Sequence, residues 1–159
     1  MGCIWITFAT KTQRHEGARR KRKKEEERVE NYVQIKENRE WLANQVVDIA
    51  YNIHKSLGPG LLESVYQTCF IYELNKRSIS YVSEMKVPIV YDTVVFPEGL
   101  RLDLLVGDQI IIELKAQENY NKVWEAQLLS YLRLTSKHLG FLINFTVPLI
   151  KEGIKRLML

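Results

Sequence analysis

The residues best suited to chemistry lie in one stretch, Arg101-Leu102-Asp103-Leu104-Leu105-Val106-Gly107-Asp108-Gln109-Ile110-Ile111-Ile112-Glu113-Leu114-Lys115. Apolar residues recur there with the period of two that marks a half-buried strand, and Gly107-Asp108-Gln109 supplies a turn between two such runs. With a three-residue loop Val106 pairs with Ile110, and residues directly opposite one another share a face. One face then holds Leu102, Leu104, Val106, Ile110, Ile112 and Leu114, all apolar. The other holds Arg101, Asp103, Leu105, Ile111, Glu113 and Lys115. A two-residue loop would flip one strand and scatter both sets, so the hydrophobic pattern selects the register. That register sets Asp103 opposite Glu113.

Two carboxylates facing each other at roughly 4.5 to 5.5 Å between Cβ atoms repel, so a positive group must stand beside them. A proton, a basic side chain or a divalent cation would serve. Lys115, two residues beyond Glu113, makes an Asp–Lys–Glu ion-pair cluster one reading. The surplus of oxygen acceptors favours the cation, and an oxygen-only set fits Mg²⁺ or Mn²⁺ rather than zinc. His15, His54 and His138 show no ligand spacing and read as surface or packing residues. Cys3 and Cys69 are the only cysteines, far apart and without CxxC spacing, which leaves a disulfide framework, a Cys-rich zinc site and an iron–sulfur cluster unsupported.

The elements that must position these residues follow from periodicity. Val46, Ile49, Ala50, Ile53 and Leu57 recur at helical spacing, which predicts a helix over 41–57 stopped by Gly58-Pro59-Gly60. A second helix runs to about Asn75. Strands are expected over 81–91, where Pro88 suits an edge or bulge, over 94–96, over 100–106 after a turn at Pro97-Glu98-Gly99, and over 110–115. A helix over 125–135 places Gln127 and Tyr131 one turn apart on one face. A short buried strand over 140–144 and a helical tail over 152–159 complete the chain. This order describes an α/β domain with a mixed sheet flanked by helices.

At 159 residues, 46% hydrophobic and 26% charged, the chain suits one globular domain that needs neither disulfides nor a structural metal to hold a core. Residues 1–40 read as a low-complexity charged extension, disordered or a frayed helix, outside a single domain over 41–159. The extension carries eleven Lys and Arg against seven Glu, whereas 41–159 carries twelve of each sign. The whole excess of +4 therefore lies in the leader, and uniform basicity is absent from the folded part. The Met1 to Thr10 run is too short for a membrane span and lacks the charge order of a signal peptide, so a cytoplasmic protein with no membrane partner is expected.

Several ordered blocks resemble a known family. Asp103 followed after nine residues by Glu113-Leu114-Lys115 is similar to the PD-(D/E)xK nuclease core, with its restriction-endonuclease-like fold. Gly60-Leu61-Leu62-Glu63-Ser64-Val65-Tyr66 resembles the naming motif of a narrower group within it, the GxxExxY proteins. Arg101 to Val106, Ile112 to Ala116, Glu125-Ala126-Gln127-Leu128-Leu129-Ser130-Tyr131-Leu132 and Leu142 to Phe145 extend the likeness from about residue 44 to the C-terminus. The resemblance implies that Asp103, Glu113, the Leu114 carbonyl and Glu63 hold Mg²⁺ or Mn²⁺. It also implies that Lys115 orients or activates the attacking water and that Gln127 supports the site from the next helix. Leu102 stands in place of the label's proline, and Trp124 where relatives often carry His.

The implied function is Mg²⁺-dependent hydrolysis of phosphodiester bonds, in DNA ahead of RNA. The alternative is a catalytically silent nucleic-acid-binding or assembly module with the same fold. A homodimer, or a partner protein supplying specificity, is compatible with the resemblance. Tyr66 and Tyr131 are read as packing and orienting residues beside Glu63 and Gln127 rather than as nucleophiles. Gly58-Pro59-Gly60 lacks the Lys and Ser/Thr of a phosphate-binding loop and reads as a turn. No helix-turn-helix, zinc finger or aromatic single-strand platform is apparent.

Overall fold

Five extended segments pair into one mixed sheet: β1 (Tyr81–Tyr91), β2 (Val94–Val106), β3 (Ile110–Lys115), β4 (Leu139–Asn144) and β5 (Ile154–Met158), in that spatial order. β3 and β4 are parallel, and the other neighbouring pairs are antiparallel. The computed structural model describes residues 5–159, with side chains from Arg19 onward, so the readings of Cys3 and of the His15 side chain lie outside the described residues. Helices α1 (Trp5–Leu57), α2 (Glu63–Lys76), α3 (Val123–Thr135) and the single turn α4 (Ile150–Gly153) complete the element set. This is the mixed sheet flanked by helices that the periodicity predicts.

The two sheet faces bury separate clusters. On one, Val46, Ile49, Ala50 and Ile53 of α1 and Tyr66, Phe70 and Leu74 of α2 pack on Leu104, Val106, Ile110, Ile112 and Leu114. On the other, Leu128, Tyr131 and Leu132 of α3 pack on Leu105, Ile111 and Leu142. β3 and β4 are buried almost throughout, as expected for strands covered on both faces. α3 is the crossover that the parallel β3–β4 pair requires. His54 makes a packing contact, its Nε2 lying 2.8 Å from the Val147 carbonyl.

Four expectations are corrected. Helix begins at Trp5 rather than Trp41: residues 19–38 are helical yet exposed, a Lys/Arg/Glu-rich stretch whose residues are good helix formers, with Arg22 paired to Glu26 one turn on at 2.9 Å. Pro97-Glu98-Gly99 is not a turn. β2 runs through it, and the register shift between Val87 and Ile89 sets three β2 residues against Pro88, so the bulge foreseen at Pro88 absorbs them. The tail forms β5 rather than a helix, because pairing with β4 satisfies a strand edge that would otherwise stand open. Leu102 packs with the α3 cluster and not with Leu104. Strict alternation fails at Asp103, where β2 has left the β3 ladder and its β1 neighbour Glu84 takes a left-handed φ of 50°.

The chain divides into two compact units, residues 1–40 and 41–159. Within the second, α4 returns tightly against the end of β4. A Cβ built on Gly153 would lie 2.1 Å from the Asn144 carbonyl oxygen, a backbone atom that cannot step aside. Gly153→Ala is expected to destabilise the fold by about 1–3 kcal/mol, the usual cost of overpacking. Urea unfolding of the two proteins checks this, and an unchanged midpoint contradicts it.

Candidate active site

The bridged pairs of β2 and β3 are Val106–Ile110, Leu105–Ile111 and Leu104–Ile112, the register selected by the hydrophobic pattern. One step further, side chains replace the ladder. The Leu114 amide donates to Asp103 Oδ2 at 2.8 Å, and the Asp103 amide donates to Glu113 Oε1 at 3.4 Å. Each acid is thus gripped by the backbone of the opposite strand. The Lys115 ammonium lies 3.4 Å from Glu113 Oε2 and 3.9 Å from Asp103 Oδ2, which places both carboxylates on one side of the sheet. The same ammonium donates to the Leu114 carbonyl at 2.9 Å.

Burial sets the electrostatics. Glu113 is 3% exposed, and that desolvation, with the charge of Asp103 second, pushes its carboxyl up to about 7. Asp103 is raised too, chiefly by burial, against the opposing Leu114 hydrogen bond and the Lys115 charge. For Lys115, burial favours the neutral amine, but the charges of Glu113, Asp103 and Glu63 outweigh it and hold the ammonium above its ordinary range.

Glu63 reaches the site through a turn that a tyrosine fixes. Gly58 and Gly60 take left-handed φ values of 70° and 95°, which only glycine adopts readily. The buried Tyr66 hydroxyl donates to the Gly58 carbonyl at 2.7 Å and accepts from the Leu61 amide at 3.1 Å, while its ring stacks on Phe145 with centroids 4.3 Å apart. Glu63 is the first residue of α2, and it lines with Lys115 a cleft of about 580 Å³. It does not join the tight pair: among the described residues, no three His, Cys, Asp or Glu side chains converge closely enough to hold an ion as they stand.

Gln127 donates its amide to the Tyr131 hydroxyl one turn on, the orienting contact read from their spacing. Among the described residues its side-chain hydrogen bond is to Tyr131 rather than to either acid. The Tyr131 phenol is raised by burial and next by the Glu113 charge, so the acidic pair lies within its electrostatic reach. Sequence reasoning missed Gln117, Asn119, Tyr120 and Asn121, which line the cleft from the loop before α3; Trp124, read only as a departure from the relatives' His, lines it with them from α3. The loop carrying them is tied down by Asn144, whose side chain bonds both the amide and the carbonyl of Gln117 at 3.2 and 2.7 Å. The signal available was the amide-rich run Gln117-Glu118-Asn119-Tyr120-Asn121, which begins two residues after Lys115.

The model of the PD-(D/E)XK nuclease superfamily matches residues 40–157, about three-quarters of the chain. The chain belongs to this superfamily. No curated protein and no solved structure gives a significant match. Membership brings a nuclease-like function, with nucleic acid as the substrate class, and nucleases of the superfamily generally use Mg²⁺ or Mn²⁺. None of the described helices is long and apolar enough to cross a membrane.

In this PD-(D/E)XK chain the donors at the site fit such an ion. Asp103, Glu113 and the Leu114 carbonyl offer oxygen alone, and burial, with the repulsion from Asp103 second, lifts Glu113 and favours a hard dication beside the pair. Without a cation, Glu113 takes up its proton near pH 7 when folded but near 4.5 when unfolded. Its contribution to stability is full below pH 4.5 and is lost as pH rises through 7; the raised Asp103 acts with the same sign. In chelator, Glu113→Gln is therefore expected to be more stable than the wild type at pH 8 by roughly 1–3 kcal/mol, the difference vanishing towards pH 4. Urea unfolding at the two pH values tests this, and an advantage that grows on acidification refutes it.

Proposed function

We propose that the domain over 41–159 is a metal-dependent nuclease of the GxxExxY type that hydrolyses phosphodiester bonds, in DNA ahead of RNA, and works in the cytoplasm. The observation that carries this reading is the convergence of Asp103 and Glu113 on one ammonium within 4 Å. Asp103, Glu113 and the Leu114 carbonyl would hold Mg²⁺ or Mn²⁺, and Glu63 would complete the set from the cleft wall. The ion, when bound, supplies a water acidic enough to attack near neutral pH and positive charge for the phosphate oxygens. Lys115 orients that water or neutralises the phosphate as a compact charge. Gln127 and Tyr131 hold one another in place behind the acids.

A second reading is a binding or assembly module without turnover. It is favoured by the zero net charge of 41–159 and by the Lys115 ammonium, which already engages the Leu114 carbonyl expected to face the metal. Against it, a scaffold has no physical need to bury two mutually repelling carboxylates.

Incubating the full chain with single- and double-stranded DNA and RNA, in Mg²⁺, Mn²⁺ or EDTA, separates the two. Cleavage with either metal and none in EDTA is expected, and Glu113→Gln, Asp103→Asn and Lys115→Ala should each lower the rate by roughly a hundredfold or more. Binding without cleavage in any metal favours the module. Cleavage that persists in EDTA or in Glu113→Gln overturns the metal mechanism.

A further inference from the structure

Beside the carboxylate pair, the cleft wall changes character. Lys115 and Glu63 form one side, and an aromatic pair with three amides forms the other. The Tyr120 and Trp124 rings meet edge to face, with centroids 5.5 Å apart and planes at 81°. Tyr120 is held from two directions, its hydroxyl bonded to Glu125 and the Lys155 ammonium 5.5 Å from its ring centroid, although 43% of the residue remains exposed. Trp124 packs partly against the α3 cluster and presents the rest to the cleft. A pair of rings braced in this way, Tyr120 exposed and Trp124 half-buried, loses little conformational freedom when a flat ligand is laid upon it.

We propose that this wall is a stacking site for an unpaired nucleobase next to the phosphate handled at Asp103, Glu113 and Lys115, so that the preferred substrate is single-stranded or locally unpaired nucleic acid. The inference rests on the nuclease reading for the phosphate and on the aromatic wall for the base. Three observations support it. The cleft, at about 580 Å³, falls within the usual size range of small-ligand pockets. Lys115 belongs to the acidic cluster and also lines the cleft, so a phosphate at the acids and a base at the wall can belong to neighbouring parts of one strand. Gln117 and Asn119 each carry both a donor and an acceptor, and Asn121, whose Oδ1 accepts from the Val123 amide at 2.9 Å, adds an amide donor, the chemistry that matches base edges without demanding one base. In a duplex both faces of a base are covered by its neighbours, so stacking on protein requires it to be unpaired or flipped out.

The test measures binding separately from cleavage. The full chain in EDTA is titrated by fluorescence anisotropy with a labelled thymidine 12-mer, the same strand in duplex, and a 12-mer with one abasic position walked along it. The wild type should bind the single strand more tightly than the duplex, and one abasic placement should weaken binding by roughly 5- to 150-fold, the usual range for one stacked base. Trp124→Ala and Tyr120→Leu should cause a loss of similar size with the intact strand and no further loss with that abasic strand, and Trp124→Phe should restore most of it. Tyr120 is exposed enough for its variant to fold even if Trp124→Ala does not. Equal binding of strand and duplex, or full affinity in Tyr120→Leu, overturns the proposal. A ribonucleotide 12-mer run alongside decides between DNA and RNA. Metal-dependent cleavage with no effect of either aromatic variant on binding or on strand preference refutes the stacking site and leaves the nuclease reading standing. The abasic and aromatic effects without cleavage in any metal refute the nuclease and leave the stacking site.

Discussion

A ladder that stops just before the acidic pair is the constraint on which this site depends. Had β2 and β3 continued to pair past Leu104 and Ile112, backbone groups would have satisfied one another and the two acids would have stood clear of the sheet. Instead the Leu114 and Asp103 amides turn to carboxylate oxygens of the opposite strand. Each acid then has a fixed position, and neither can move away from the other's charge. The burial that lifts Glu113 and the attraction that keeps Lys115 protonated both follow from that geometry.

Helices on the two faces hold the hairpin rigid enough for this to persist. Aliphatic residues on alternate positions of β3 key into α1 and α2 on one side and into α3 on the other, so the strand cannot slip by one residue without exposing its whole apolar set. The glycine turn before α2 belongs to the same arrangement. Tyr66, buried against Phe145, ties two backbone groups of that turn and thereby fixes where Glu63 enters the cleft. A motif read as Gly, Glu and Tyr at fixed spacing is thus one mechanical unit: the glycine permits the turn, the tyrosine pins it and the glutamate is what it presents.

Charge is distributed unevenly along the chain, with the whole excess in residues 1–40. The domain over 41–159 carries no net charge, so its net charge gives no long-range attraction for a polyanion. Short-range contacts, whether a cation at the acids, the Lys115 ammonium or flat rings at the cleft wall, must then contribute most of the grip. The charges of Glu113 and Lys115 are screened less by salt than surface charge is, because Glu113 is buried and Lys115 largely so.

How much of this was legible beforehand divides along the range of the interactions. Residue type and period determined the two principal helices of the domain and the β2–β3 register from Leu104 to Ile112, because one wrong residue of slip would have buried charge and exposed leucine. Order along the chain determined the mixed sheet. The tertiary structure decided what depends on partners distant in sequence: that Pro97-Glu98-Gly99 is absorbed as a bulge opposite Pro88, that the tail closes the sheet beside β4, and that Leu102 turns to the α3 side. It also decided that Glu63 lines the cleft without closing on the acids, that Tyr120 and Trp124 line it with Lys115, and that Gln117 is tied to Asn144, distant in sequence on β4. Periodicity records which face a residue prefers. It carries no information about which loop a side chain will meet across a cleft, and that is set only when the helices and the sheet pack together.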